Sequence, residues 1–126
     1  MAPTIVTKAG KPFLAVGSPG GATIITTVLQ ILLDRVDLGL TLPQAIADPR
    51  ASQRNSETTE AEPAFIASPE GQALQSRYGQ VLEPVEDPGE LGAVTGIEQL
   101  DGGRVLAAAE PVRRGGGSAL VEHPVP

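Results

Sequence analysis

Five residues, Gly17-Ser18-Pro19-Gly20-Gly21, separate an apolar stretch ending at Val16 from a dense apolar pattern beginning at Ile24. No regular element runs through such a segment, because Pro19 has no amide donor and the glycines are conformationally free. The chain must pass there from one element to another. Upstream, Thr4 to Thr7 is β-branched, and Phe13 to Val16 is a second apolar run. Lys8-Ala9-Gly10-Lys11 between them supplies a turn with Gly10 available for positive φ, which predicts a β-hairpin. Downstream, Ile24, Ile25, Val28, Leu29, Ile31, Leu32 and Val36 recur at three- and four-residue spacing. They occupy more than one face, which predicts a largely buried helix stopped by Gly39. The junction reads as strand, glycine turn, helix.

Thr41 is placed to cap a short helix opened by Leu42-Pro43 and ended by Asp48-Pro49. Ala51 to Glu62 is polar and reads as loop or irregular strand. Ser68-Pro69-Glu70 caps a further helix that reaches Tyr78 and stops at Gly79. After a turn-rich stretch from Glu83 to Leu91 comes a second hairpin. In it, Ala93 to Leu100 pairs with Arg104 to Ala109 around Asp101-Gly102-Gly103. Residues 110–126 turn to glycine and proline and read as a flexible tail ending in Pro124-Val125-Pro126. Antiparallel hairpins packed with helices define an α+β class.

Composition narrows the function classes. With 126 residues the chain is one ordinary domain or a piece of a larger one. Aromatic residues are 2% of it, so the core must be built from Ile, Leu, Val and Ala. A net charge of -6 with no basic stripe argues against a nucleic-acid or anionic-membrane partner. The lack of cysteine removes disulfides, thiolate metal sites and a cysteine nucleophile. The single histidine, His123 in the Pro-flanked end, leaves no histidine triad or zinc site. No metal or other cofactor is expected. The stretch from Ile24 to Val36 is interrupted by Thr26, Thr27, Gln30, Asp34 and Arg35, so it is not expected to span a membrane. No charged segment followed by an apolar one reads as a signal peptide.

The glycine turn carries the chemistry. A helix N-terminus leaves backbone N–H groups unpaired, and the helix dipole adds positive partial charge there. Glycines just before it let another group approach the backbone closely. Such a site holds a carboxylate, a phosphate or a developing oxyanion. A tight turn into a packed helix is the structural alternative. The turn lacks the lysine of a P-loop, and its glycine spacing is not that of a dinucleotide fingerprint. Ser18 has no general base nearby and is followed by Pro19, so it reads as a turn or capping residue rather than a nucleophile.

Several segments together resemble the γ-glutamyltranspeptidases: Met1-Ala2-Pro3-Thr4-Ile5-Val6, Gly10-Lys11, Gly17-Ser18-Pro19-Gly20-Gly21 and Ile24-Ile25-Thr26-Thr27-Val28-Leu29-Gln30. The likeness continues through Asp37-Leu38-Gly39-Leu40, Ala45 to Arg50, Gly92-Ala93-Val94 and the second hairpin, and so covers nearly the whole chain. It implies the N-terminal-nucleophile hydrolase fold, an αββα sandwich made by self-cleavage into a large and a small subunit. It further implies attack by a threonine hydroxyl on a γ-glutamyl amide such as that of glutathione, with the threonine's own α-amine as base. The acyl-enzyme then passes to water or an acceptor amine. On this resemblance the backbone N–H groups of Gly20 and Gly21 stabilise the oxyanion, and Ser18, Gly20 and Gly21 contact substrate. Losing one such donor costs about 3 kcal/mol of transition-state stabilisation.

The resemblance also implies what this chain lacks. The family's nucleophilic threonine, and the groups that hold the glutamyl α-carboxylate and α-amine, belong upstream. The whole chain, residues 1–126, is therefore expected to be the C-terminal part of the small subunit. Its expected partners are the upstream part of that subunit, the large subunit and a small γ-glutamyl substrate. Thr4, Thr7 and Thr41 are not nucleophile candidates, since none is N-terminal. Some members carry histidines where this chain has Ala51-Ser52-Gln53-Arg54-Asn55, and no chemistry is assigned there. The resemblance implies an exported enzyme, periplasmic or extracellular. Alone, the chain is expected to be inactive and, with apolar faces uncovered and two strand edges open, either to form a homo-oligomer or to rest on a rearranged packing. The rival class is a non-catalytic anion- or amino-acid-binding or interaction module.

Overall fold

A computed structural model describes residues 3–120. Met1, Ala2 and the residues from 121 onward, including His123 and the closing Pro-Val-Pro, lie outside the described part. In chain order the elements are β1 (Thr4–Lys8), β2 (Lys11–Gly17), α1 (Ile24–Val36), α2 (Leu42–Ala47), β3 (Ala51–Ser52) and β4 (Thr59–Ala61). They continue with α3 (Pro63–Ala67), α4 (Pro69–Tyr78), β5 (Leu82–Pro84), β6 (Thr95–Gln99) and β7 (Val105–Ala109).

The two hairpins become one four-stranded antiparallel sheet, ordered β1-β2-β6-β7. They join through β2 and β6, with Leu14 opposite Glu98 and Val16 opposite Gly96. Ala9 and Gly10 both take positive φ in the tight turn between β1 and β2, which matches the twist of the paired strands. α1 and α2 cover one face of the sheet. Leu14, Val16, Val94 and Ala108 meet Val28, Ile31, Leu42, Ala45 and Ile46 there, all buried. Each large aliphatic side chain buried in this way contributes about 1.5–3 kcal/mol. Arg35 ties α1 to the sheet by a forked bond to the buried Glu98, with Nε donating to Oε2 at 2.9 Å.

The capping residues behave as their sequence positions predict. Thr41 forms a reciprocal capping box with Gln44 at the start of α2. Ser68 accepts from the Gly71 amide at 3.0 Å to open α4, and left-handed Gly79 closes it. Other elements depart from expectation. A second, three-stranded sheet, β3-β4-β5, contains a parallel pair between β4 and β5, and α3 precedes α4. Strands of two or three residues carry no periodic signal, so the sequence shows β3 and β4 only as loop or irregular strand and does not show β5.

α1 is not largely buried. Thr27, Val28, Ile31 and Asp34 face inward, while Ile25, Leu29, Leu33 and Val36 form an exposed stripe. One sheet covers one helix face only. The sheet shows the same asymmetry. Its far side carries Ile5, Ala15, Ile97 and Ala107 along an open apolar groove of about 500 Å³. Strands apolar on both faces are the pattern of a sheet buried on both sides. The expected flexible tail is also corrected at its start, because Glu110 and Arg113 are buried and bonded into the fold.

Candidate functional site

β2 ends at Gly17 and the chain turns sharply. Gly20 has φ 149° and Gly21 φ 59°, both open to glycine and strained for other residues. A Cβ on Gly20 would stand 2.7 Å from Thr23 Oγ1. A single 3₁₀ turn, Gly21–Thr23, then leads straight into α1. Gly20 is half-buried and Gly21 exposed, and among the described residues neither amide N–H has an acceptor. No acidic side chain occupies the first turn of the 3₁₀ segment or of α1. No side-chain charge of that turn therefore neutralises the positive end of the helix.

The turn rests on a second loop that arrives from far along the chain. A 3₁₀ segment, Pro88–Leu91, is opened by Asp87, whose side chain accepts from the Gly89 amide at 2.8 Å. Thr23 Oγ1 lies 2.7 Å from the Glu90 carbonyl and 2.9 Å from that of Gly20, within donating distance of both. Thr27 donates to the Leu91 carbonyl at 2.9 Å. Gly92 lies against Ser18 so closely that a Cβ there would meet Ser18 Oγ at 2.4 Å.

Ser18 itself is fully buried. Its hydroxyl donates to the Pro19 carbonyl at 2.6 Å and accepts from the Ala93 amide at 3.1 Å. This side chain does not face solvent, which corrects the expectation that Ser18 contacts substrate. It agrees with the reading of Ser18 as a turn residue and leaves no room for it as a nucleophile. Gly20 and Gly21 are where the sequence places them, at an accessible helix N-terminus.

Behind the loop lies a buried ionic cluster of two arginines and two glutamates: Arg50, Arg113, Glu62 and Glu110. Arg50 Nη2 donates to Glu110 Oε2 at 2.9 Å and to the Ile46 carbonyl at 2.8 Å. Its Nη1 reaches the carbonyls of Leu91 and Gly92, each at 3.2 Å. Arg113 forms a forked pair with Glu62, one bond of it 2.7 Å long, and donates to Glu110 and to the carbonyls of Ile46 and Asp48. Burial first, then the nearby Arg113 charge, lowers the pKa of the Arg50 guanidinium, against the pull of Glu110. Sequence reasoning missed this cluster. Its partners are up to 60 residues apart, and no local pattern marks them.

A strand, a glycine turn with two amides that have no acceptor among the described residues and the N-terminal end of a helix thus meet beside an antiparallel sheet, in an α+β frame. Among the described residues, no three His, Cys, Asp or Glu are grouped to hold a metal ion. None of the described helices is long and apolar enough to cross a membrane. Residues 1–120 match the gamma-glutamyltranspeptidase family, and the chain belongs to that family. It is 38% identical, over 95% of its length, to the glutathione hydrolase proenzyme of Pseudomonas sp. (strain A14), of which it covers 22%. A highly active mutant of the γ-glutamyltranspeptidase of Pseudomonas nitroreducens superposes with a TM-score of 0.80 at 28% identity, over 98% of this chain and 62% of that one. A cephalosporin acylase of Bacillus halodurans superposes equally well, with a TM-score of 0.80 at 29% identity over 96% of this chain and 22% of that one. The chain thus spans about a fifth of the curated relative (22%), and its fold is that of the N-terminal-nucleophile hydrolases.

Proposed function

We propose that this chain supplies the oxyanion-holding part of a γ-glutamyl transferase or hydrolase. The enzyme cleaves γ-glutamyl amides such as glutathione through a threonine acyl-enzyme, and the nucleophile comes from polypeptide outside this chain. The observation that carries the reading is the pair of unpaired amides at Gly20 and Gly21, held at the positive end of α1 with no acidic residue in the first turn. Two such preorganised donors stabilise the negative oxygen of a tetrahedral intermediate without reorganising during the reaction. The uncovered apolar faces of α1 and of the sheet support the second half of the proposal. They are the surfaces that the rest of an αββα sandwich, the upstream small subunit and the large subunit, would cover.

The test is turnover of a chromogenic γ-glutamyl anilide. The chain alone is expected to be inactive, and activity is expected when it is co-expressed with the polypeptide encoded in frame ahead of it. Turnover by the chain alone would refute the placement of the nucleophile. An inactive co-expressed pair, or a stop codon in place of an upstream threonine segment, would favour a non-catalytic anion-binding module.

A further inference from the structure

The loop beneath the glycine turn is gripped to an unusual degree. From Gly89 to Gly92, every backbone carbonyl lies within bonding distance of a side-chain donor from another element. Arg114 Nε donates to Gly89 at 2.7 Å, Thr23 reaches Glu90, Thr27 donates to Leu91, and Arg50 reaches Leu91 and Gly92. Ser18 then accepts the next amide, that of Ala93. Gly92 is the part of this loop that the turn rests on. Its Cα lies 3.5 Å from where a Gly20 Cβ would stand, and its own surroundings, Ser18 Oγ, the Pro19 carbonyl and Thr27 Cγ2, leave no space for a side chain. Gly92 and Gly20 thus approach backbone against backbone, with room for no side chain between them.

Thr27 is the side chain whose placement nothing else explains. A threonine inside a helix is a weak helix former and commonly bonds back to the carbonyl of the preceding turn. Thr26 does so, donating to the Thr23 carbonyl at 3.0 Å. Thr27 instead turns into the core, 3% exposed, and donates to Leu91, 64 residues away in sequence. Thr23 is itself part of the turn, and Arg50 serves the ionic cluster. The Thr27 hydroxyl serves the loop alone. Resting on the reading that Gly20 and Gly21 hold the oxyanion, we propose that Thr27 is a positioning residue for that site. By holding Leu91 it seats Gly92 beneath Gly20 and so aims the two amides. It does not touch substrate. With its hydroxyl removed, the Leu91 carbonyl still has Arg50 Nη1 as a donor, so the loop shifts toward Arg50 instead of leaving a buried carbonyl unpaired.

The test compares Thr27→Val, which keeps the shape and loses the hydroxyl, with Thr27→Ser, which keeps the hydroxyl. Both are made in the co-expressed enzyme. The readouts are kcat and KM for the γ-glutamyl anilide, with thermal unfolding alongside. Misaiming catalytic groups by a fraction of an ångström costs about tenfold or more in rate. Thr27→Val is therefore expected to lower kcat by about that factor with KM unchanged, and Thr27→Ser to recover most of it. Wild-type kcat in Thr27→Val, or a loss that appears only in KM, overturns the proposal. If Thr27→Val does not fold, Thr27→Ala takes its place, since it too removes the donor to Leu91. A kcat-selective loss in Thr27→Ala that Thr27→Ser does not share supports the proposal, and wild-type kcat overturns it. An inactive wild-type pair sinks the underlying reading of the site, whereas an active wild type with unaffected variants sinks only the role of Thr27.

Discussion

Replacing Asp34 by asparagine should stabilise this protein, and more so as the pH rises. Asp34 lies on the inward face of α1, 5% exposed, near the helix C-terminus where the dipole disfavours negative charge. Its Oδ2 has no hydrogen-bond partner among the described residues. Burial first, then the charge of Asp48, raises its pKa from 3.8 to about 6, while Gln30 and Arg50 pull the other way. At about 1.4 kcal/mol per pH unit, the ionised form costs the fold roughly 3 kcal/mol. The folded protein holds this proton more tightly than the unfolded chain. Stability is therefore highest below the unfolded value, falls as pH rises through about 6, and is level above that. Asparagine keeps the shape and removes the charge. At about pH 8, Asp34→Asn should gain about 2–3 kcal/mol, which for a chain of this size raises the melting temperature by about 10 °C. The gain should vanish at about pH 4, where wild-type Asp34 is protonated. Asp48, also raised by burial and then by Glu70, titrates in the same direction and leaves the variant some pH dependence of its own. Urea unfolding followed by circular dichroism across this range measures both quantities. A variant no more stable than wild type at about pH 8, or a gain of equal size at low pH, would refute the assignment of a strained, charged Asp34.

Two further substitutions test the frame around the site. Glu110→Gln removes one charge from the buried cluster and leaves Arg50 and Arg113 facing Glu62 alone. It should cost about 3–5 kcal/mol, seen as a lower urea midpoint, and a loss of under about 1 kcal/mol would mean the cluster is not closed in solution. Gly92→Ala places a Cβ 2.4 Å from Ser18 Oγ and 3.0 Å from the Pro19 carbonyl at φ 87°. Its cost should be about 3 kcal/mol, against about 1 kcal/mol for Gly10→Ala, where a Cβ meets nothing within 4 Å. Equal melting temperatures for the two variants would show that Gly92 is not wedged against the turn.

What could be read in the sequence is what depends on neighbours a few residues away. The span Ile24–Val36 follows from apolar spacing, and α2 and α4 follow from Thr41, Ser68 and Gly79, because helix bonds and caps close within four residues. Both hairpins follow from short turns between β-rich runs. The glycine turn could be located for the same reason, since the free amides of a helix N-terminus are a local property. Tertiary structure decided everything that depends on a distant partner. That includes the pairing of β2 with β6, the parallel pair of β4 and β5, and the choice of which face of α1 is covered. It also includes the fate of Ser18, which local sequence leaves free to face solvent and which the Ala93 amide and Gly92 hold inside. The Arg50–Glu110 pair closes over 60 residues, and Thr27 reaches Leu91 over 64. A side chain's short-range preference says nothing about such contacts. They form only because packing the sheet against α1 and α2 brings the loop from Asp87 to Gly92 beneath the turn and residues 110–114 behind it, where buried polar groups find these partners.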